Sequence, residues 1–227
     1  MAATLDHLCG GRFVLGIGAG WFELEHNSFG IDFKNIPGRL RALDEALQII
    51  KGMFTQEKTT LHGRHYDVVD AVCNPRPVQR PHPPIMIGGR GENQLLKIVA
   101  RHADMWNTFG DPDGMRRMVN IIERHGDTVG RDTDEIDKTV GLQLCYRGGK
   151  EREQKTLATA AAHAQTTIEQ ARDCAMIGER QECIDKIERY VKAGITHFIF
   201  VQRWESLVAD DYQAFAEEVI PSFRTQH

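Results

Sequence analysis

The sequence contains no apolar run approaching the ~18 residues that a membrane-crossing helix needs, no cluster of lysine and arginine, and no acidic tract. Its 28 positive residues are scattered among 32 negative ones, for a net charge of −4. Without a basic field, nucleic acid is not an expected partner. The first residues, Met1-Ala2-Ala3-Thr4-Leu5-Asp6, lack the basic start and apolar core of a signal peptide. The five cysteines (Cys9, Cys73, Cys145, Cys174, Cys183) are odd in number and form no C-x-x-C pair, which argues against a disulfide framework and fits reduced, mostly buried thiols. Also missing are G-x-S-x-G, Walker-type and H-E-x-x-H patterns, so nucleophilic hydrolysis, nucleotide-triphosphate chemistry and zinc proteolysis have no support. Together these absences describe a soluble, cytoplasmic protein with no membrane contact.

What is present is an ordinary globular balance, 41% hydrophobic and 26% charged over 227 residues, enough for one domain spanning residues 1–227. Strand and helix signals alternate, the pattern of an α/β fold with a parallel sheet. Arg12 to Gly18 reads as a buried strand running into a glycine-rich turn. From Pro37 to Phe54, Leu40, Leu43, Leu47, Ile50 and Phe54 recur at spacings of three and four, which predicts an amphipathic helix with proline in its first turn. A small hairpin is expected around Tyr66 to Val69. The prolines between Pro75 and Pro84 then predict an extended excursion over the surface. Strands follow at Ile85–Ile87, Ala103–Asn107, Thr139–Leu144 and Ile195–Gln202, with helices at Asn93–His102, Met115–Arg124, Glu151–Cys174, Gln181–Ala193 and around Tyr212–Val219. That makes five strands, each followed by helical sequence.

Two glycine-rich turns follow strands. Gly16-x-Gly18-x-Gly20 departs from the dinucleotide fingerprint G-x-G-x-x-G, because Trp21 follows Gly20 directly and Glu45 lies inside a helix. It reads either as a tight turn or as backbone approached closely by a planar ligand. Ile87-Gly88-Gly89-Arg90-Gly91 lies between a strand and a helix, where free N–H groups at the positive end of a helix suit a phosphate, although glycines that merely make a tight turn would look the same. Trp106-Asn107, at a strand end, could face a ring system, and Trp106 and Trp21 are equally suited to core packing. His62-x-x-His65, with His82 further on, lacks a cysteine or carboxylate at metal-ligand spacing, so no metal is expected. His102, His125, His163 and His197 read as surface or packing residues, not as acids or bases.

The ordered series Ala3-Thr4-Leu5-Asp6-His7-Leu8-Cys9-Gly10-Gly11-Arg12, Leu15-Gly16-Ile17-Gly18-Ala19-Gly20-Trp21, Arg39 with Leu43-Asp44-Glu45, Gly63-x-x-Tyr66, Pro75-x-Pro77-x-Gln79-x-Pro81-x-Pro83-Pro84-Ile85-x-Ile87-Gly88-Gly89 and Ala103-Asp104-x-Trp106-Asn107 resembles the bacterial-luciferase-like family. It is most similar to the subgroup expected to use the deazaflavin coenzyme F420 rather than FMN. The resemblance implies a (β/α)₈ TIM-barrel type of fold, here incomplete, with about five parallel β/α units corresponding to family units 4 to 8. The first three units, about 100 residues by the usual barrel size, are absent from this sequence, which would follow if its start lies downstream of the real one. It further implies that Ile87, Gly88 and Gly89 contact the cofactor phosphate, and that Gly18, Ala19, Gly20, Trp106 and Asn107 line the ring pocket. The expected activity is hydride transfer between F420 and a small organic substrate. The alternatives are an FMN-dependent monooxygenase served by a separate flavin reductase and a non-catalytic remnant acting through association. Exposed parallel-sheet edges would favour homo-oligomers. Sugar-phosphate dehydrogenases of the family carry glutamate where this chain has Trp21, so a sugar phosphate is not the expected substrate. No residue is named as general acid or base.

Overall fold

The computed structural model describes residues 1–201 and 209–224. These fall into two compact units, one of Met1–Trp106 with His125–Ile136 and one of Asn107–Arg124 with the residues from Asp137 onward. The first contains α1 (Ala2–Leu8), β1 (Leu15–Ile17), α2 (Glu23–Ser28), α3 (Ile36–Thr55), β2 (Thr59–His62), β3 (Asp67–Ala71), β4 (Ile85–Gly88) and α4 (Leu95–His102). Residues of β5 (Met105–Thr108) and α5 (Pro112–Val129) belong to both. The second contains β6 (Asp137–Tyr146), α6 (Gly149–Ala164), α7 (Ile168–Ala171), β7 (Ala175–Gly178), α8 (Arg180–Lys192), β8 (His197–Phe200) and α9 (Ala209–Glu218).

In the first unit β1 and β4 pair in parallel, with Ile17 opposite Ile87. Helix α3 begins where its sequence says it should. The Asn35 side chain accepts a hydrogen bond from the Gly38 amide at 2.9 Å, and Pro37 sits in the first turn. Its face of Leu40, Leu43, Leu47 and Phe54 is buried, as are Ile85 and Ile87 of β4 and Leu96 and Val99 of α4. Asp44 of α3 ties this helix to α4 through Arg101 at 3.1 Å and His102 at 2.9 Å. Desolvation lowers the proton affinity of His102 despite that carboxylate.

Two carboxylates organise the irregular segments. Asp6, fully buried, accepts bonds from the amides of Val78 and Gln79 and from the Gln79 side chain, at 2.7, 3.0 and 2.7 Å, so α1 holds the proline-rich excursion. Glu45 accepts bonds from the amides of Arg64, His65 and Tyr66, at 3.0, 2.8 and 3.0 Å, and so fixes the β2–β3 hairpin to α3. Burial alone would raise the pKa of both carboxyls, but these hydrogen bonds outweigh it and hold both below their ordinary values. The Gly63 position has no room for a methyl group. A Cβ there would meet the Glu45 carboxylate and lie 2.9 Å from Leu61 Cδ2. Gly63→Ala is therefore expected to cost about 1–3 kcal/mol of stability, measured as a lower denaturant midpoint. An unchanged midpoint would show that the hairpin can shift without releasing Glu45.

In the second unit the ten-residue strand β6 pairs with both β8 and β7. Thr139–Leu142 pair with β8 and Gln143–Tyr146 with β7, both in parallel. Strand β7 is absent from the sequence reading. Its four residues, Ala-Met-Ile-Gly, carry one β-branched side chain, too little β preference to stand out beside a long helical pattern. The single helix expected over residues 151–174 is instead two. Gln165 adopts a left-handed conformation that ends α6, and Thr167 caps α7. Of the strand expected over Ile195–Gln202, β8 covers His197–Phe200, and Gln202 lies outside the described residues. No helix among the described residues is long and apolar enough to cross a membrane.

Candidate functional site

The C-terminal ends of β1 and β4 lie side by side. A Cβ on Gly18 would stand 3.4 Å from the Gly88 carbonyl, whereas one on Gly88 would meet nothing closer than the Ile17 carbonyl at 4.0 Å. Gly16, two residues before Gly18 and thus on the same face of the strand, is exposed and would have no neighbour within 4 Å of a Cβ. Gly16, Gly18 and Gly88 form a shelf of bare, exposed backbone. Gly88 in particular has no left-handed backbone and no packing contact that requires a glycine.

The next residue is different. Gly89 has φ +131°, and a Cβ there would run into Leu95 Cδ2 at the start of α4. Its carbonyl accepts a 2.8 Å hydrogen bond from Trp106 Nε1–H. Trp106 is 0% exposed, so it supports the turn from within the core and presents no free face to a ring. Trp21 goes the other way: it is 83% exposed, with its ring 5.2 Å from that of Phe22 between centroids, so the core-packing expectation fails for it. Asn107 belongs to the second unit, where its amide donates to Thr139 Oγ1 at 2.6 Å. Of the eight residues expected at the site, Gly18, Ala19, Gly20, Ile87, Gly88 and Gly89 gather at the β1 and β4 ends, with Ile87 itself buried.

A cleft of about 300 Å³ opens beside Gly18 and Ala19, between the end of β1, α2, α3 and the hairpin. Its polar lining is His26, Asp32, Lys34, Arg39 and Tyr66, and Ile87, Gly88 and Gly89 are not part of its wall. Gly20, at φ +76°, turns the chain tightly against His26, whose imidazole would lie 2.8 Å from a Cβ. Arg39 donates to the Lys34 carbonyl and lies 4.0 Å over the Phe33 ring. In the sequence Arg39 and Tyr66 appeared only as members of a spaced series, and His26 and Lys34 carried no signal, because the loop that gathers them has no periodicity.

Of the hairpin histidines, His62 pairs with Asp67 across the hairpin at 2.7 Å, and His65 Nδ1 meets Lys34 of the loop before α3 at 3.3 Å. At the C-terminal end of β6, Tyr146 donates to Glu218 at 2.8 Å, and burial pushes its pKa up to about 12. It keeps its proton and anchors α9, helped by Arg147, which bridges Glu179 and Glu218.

Parallel strands alternating with helices, with glycines at the ends of β1 and β4, define an α/β protein of the TIM-barrel type. The chain belongs to the luciferase-like monooxygenase family, whose sequence model matches residues 1–163. Among curated relatives, the FMNH₂-dependent dimethylsulfone monooxygenase of Pseudomonas putida is 29% identical over 66% of this chain and 45% of its own length. The F420-dependent glucose-6-phosphate dehydrogenase of Microbacterium testaceum is 26% identical over 98% of this chain and 72% of its own length. The solved F420-dependent tetrahydromethanopterin reductase of Methanopyrus kandleri superposes with a TM-score of 0.79 at 19% identity, covering 98% of this chain and 78% of that one, and shares the fold. The chain thus spans less than half the length of the first of these relatives.

Proposed function

We propose that this chain binds the deazaflavin coenzyme F420 and transfers hydride between it and a small organic substrate. The shelf of Gly16, Gly18 and Gly88 carries this reading, because Cβ atoms at Gly16 and Gly88 would stand in open space and one at Gly18 would touch only the Gly88 carbonyl, which leaves backbone that a planar group and its phosphate can approach closely. In this reading the Gly88–Gly89 backbone holds the phosphate and the β1 end, Gly16 to Gly20, lies against the ring. The coenzyme supplies two-electron hydride chemistry, and the protein's part is to bind and orient. F420 is favoured over FMN by the F420-dependent relative, which aligns with 98% of this chain. That relative acts on glucose 6-phosphate, yet the exposed Trp21 stands where the family resemblance puts a glutamate in such enzymes, so the proposed substrate is not a sugar phosphate.

Fluorescence titration of the chain with F420 and FMN in parallel tests the proposal. Saturable F420 binding is expected. Gly88→Ala should weaken it roughly ten- to a hundredfold, the effect of about 1–3 kcal/mol of crowding. Because the added methyl meets no protein atom closer than 4.0 Å, the melting temperature should stay unchanged. Gly88→Ala binding as tightly as the unaltered chain would remove the shelf from the site. The FMNH₂-dependent relative supports a second reading, an FMN-dependent monooxygenase, which preferential FMN binding and oxygen-dependent turnover would select.

A further inference from the structure

We infer that the free edge of β1 pairs with the same edge of a second copy of the chain, antiparallel and centred on Gly16, to give a two-fold dimer. The inference stands apart from the coenzyme reading. Strand β1 ends its sheet and is bonded to β4 alone. The Leu15 amide donates to the Pro84 carbonyl at 2.8 Å, so the backbone groups of Leu15 and Ile17 face β4. Those of Gly16, between them, face away and have no partner among the described residues. Nothing blunts this edge. Leu15-Gly16-Ile17 carries no charge, proline or bulge, the usual devices against pairing. The strand is also poorly covered. Ile85 and Ile87 are 0% exposed, but Leu15 and Ile17, level with them in the register, are only half-buried.

The occupant is a second copy because the edge and its flanks complement themselves. In an antiparallel pair centred on Gly16, each Gly16 donates its N–H to the other's carbonyl, and the two-fold axis closes the pair. Leu15 of each copy then stands across from Ile17 of the other, on the face where Ile17 lines the cleft with Leu43 and Ala46 of α3. Charge matches as well. Arg12, before β1, is exposed and forms no ion pair among the described residues. The same holds for Glu23 and Glu25 of α2, beyond the other end of the strand. Reversing the strand direction brings the Arg12 end of one copy to the Glu23–Glu25 end of the other, and symmetry repeats the match. A strand from another protein would satisfy the ladder but would not bring these charges with it. Helix α2 buries none of its residues against its own chain, and Trp21 and Leu24, 83% and 65% exposed, lie at the same end of the edge.

Sedimentation velocity over a concentration series, with hydrogen exchange followed at the Gly16 amide, tests the inference. The samples are the unaltered chain, Arg12→Glu, and Arg12→Glu combined with Glu23→Arg and Glu25→Arg. The expected result is a monomer–dimer equilibrium in which the Gly16 amide exchanges slowly in the dimer and fast on dilution. Arg12→Glu should weaken dimerisation roughly tenfold at low salt, and the combined charge swap should restore it. The swap separates an interface from a fold defect, since a change that only damages the fold is not repaired by reversing charges elsewhere. A chain monomeric at every concentration would overturn the inference. A dimer that leaves Gly16 unprotected, or that ignores Arg12→Glu, would place the contact elsewhere and overturn it too. So would assemblies that grow beyond two copies, because a two-fold pairing of this edge closes at the dimer.

Discussion

Asp6→Ala is expected to lower the stability of the chain by about 3–5 kcal/mol, enough to abolish a marginal fold, since the change strands the Val78 and Gln79 amides that its fully buried carboxylate satisfies. The Gln79 side chain keeps one acceptor, the Phe13 carbonyl at 2.7 Å, and so falls less far than the two amides. Asp6→Asn preserves size but turns an NH₂ toward donors and should recover only part of the loss. The dependence on pH follows from the same geometry. The folded-state pKa of Asp6 is depressed, so its contribution is fully present above the unfolded carboxyl's pKa and is lost as pH falls through the lower folded value. Denaturant titrations at neutral and acidic pH check both. A loss below about 1 kcal/mol at neutral pH would mean that water reaches the two amides once the carboxylate is gone.

Trp106→Ala is the second large effect, about 3–5 kcal/mol, because a fully buried indole leaves a cavity that its neighbours fill only in part. Trp106→Phe isolates the hydrogen bond from the packing. It keeps most of the apolar volume, leaves the Gly89 carbonyl without its 2.8 Å donor, and should cost about 1–2 kcal/mol. The more informative readout is F420 binding, which Trp106→Phe should weaken at temperatures well below its melting point, since the Gly89 turn would lose its support. Unaltered affinity in Trp106→Phe would show that the turn is held by Leu95 and the β4 register alone.

How far such a site can be read from sequence differs from residue to residue. Helix α3 was legible almost to its ends, because the apolar spacing from Leu40 to Phe54 and Pro37 in the first turn point to the same boundaries, while the Asn35 cap emerged only from the structure. The glycine turns were legible as turns, but sequence could not separate Gly88, which has open space, from Gly89, whose φ and Leu95 contact demand glycine for the fold itself. Trp106 and Trp21 looked alike in the string, yet one is buried and the other exposed, since burial depends on which elements converge and not on the residue. Asp6 was visible only as a member of a family resemblance, and Glu45 only as that and as a helical residue that fails the dinucleotide fingerprint. Their partners lie at positions 78–79 and 64–66, and no local pattern announces a carboxylate that binds distant amides.

The bond from Asp6 to Gln79 also orders events in time. Helix α1 has seven residues, too few to persist in water without tertiary partners. The amides that secure its carboxylate lie 72 and 73 positions further along the chain. At a synthesis rate of about 5–20 residues per second, the ribosome takes roughly four to fifteen seconds to make that interval. During it the Asp6 carboxylate lacks the amides that secure it and remains solvated. Helix α1 is therefore among the later elements to settle, and this segment stays open to proteases and chaperones until Gln79 clears the exit tunnel.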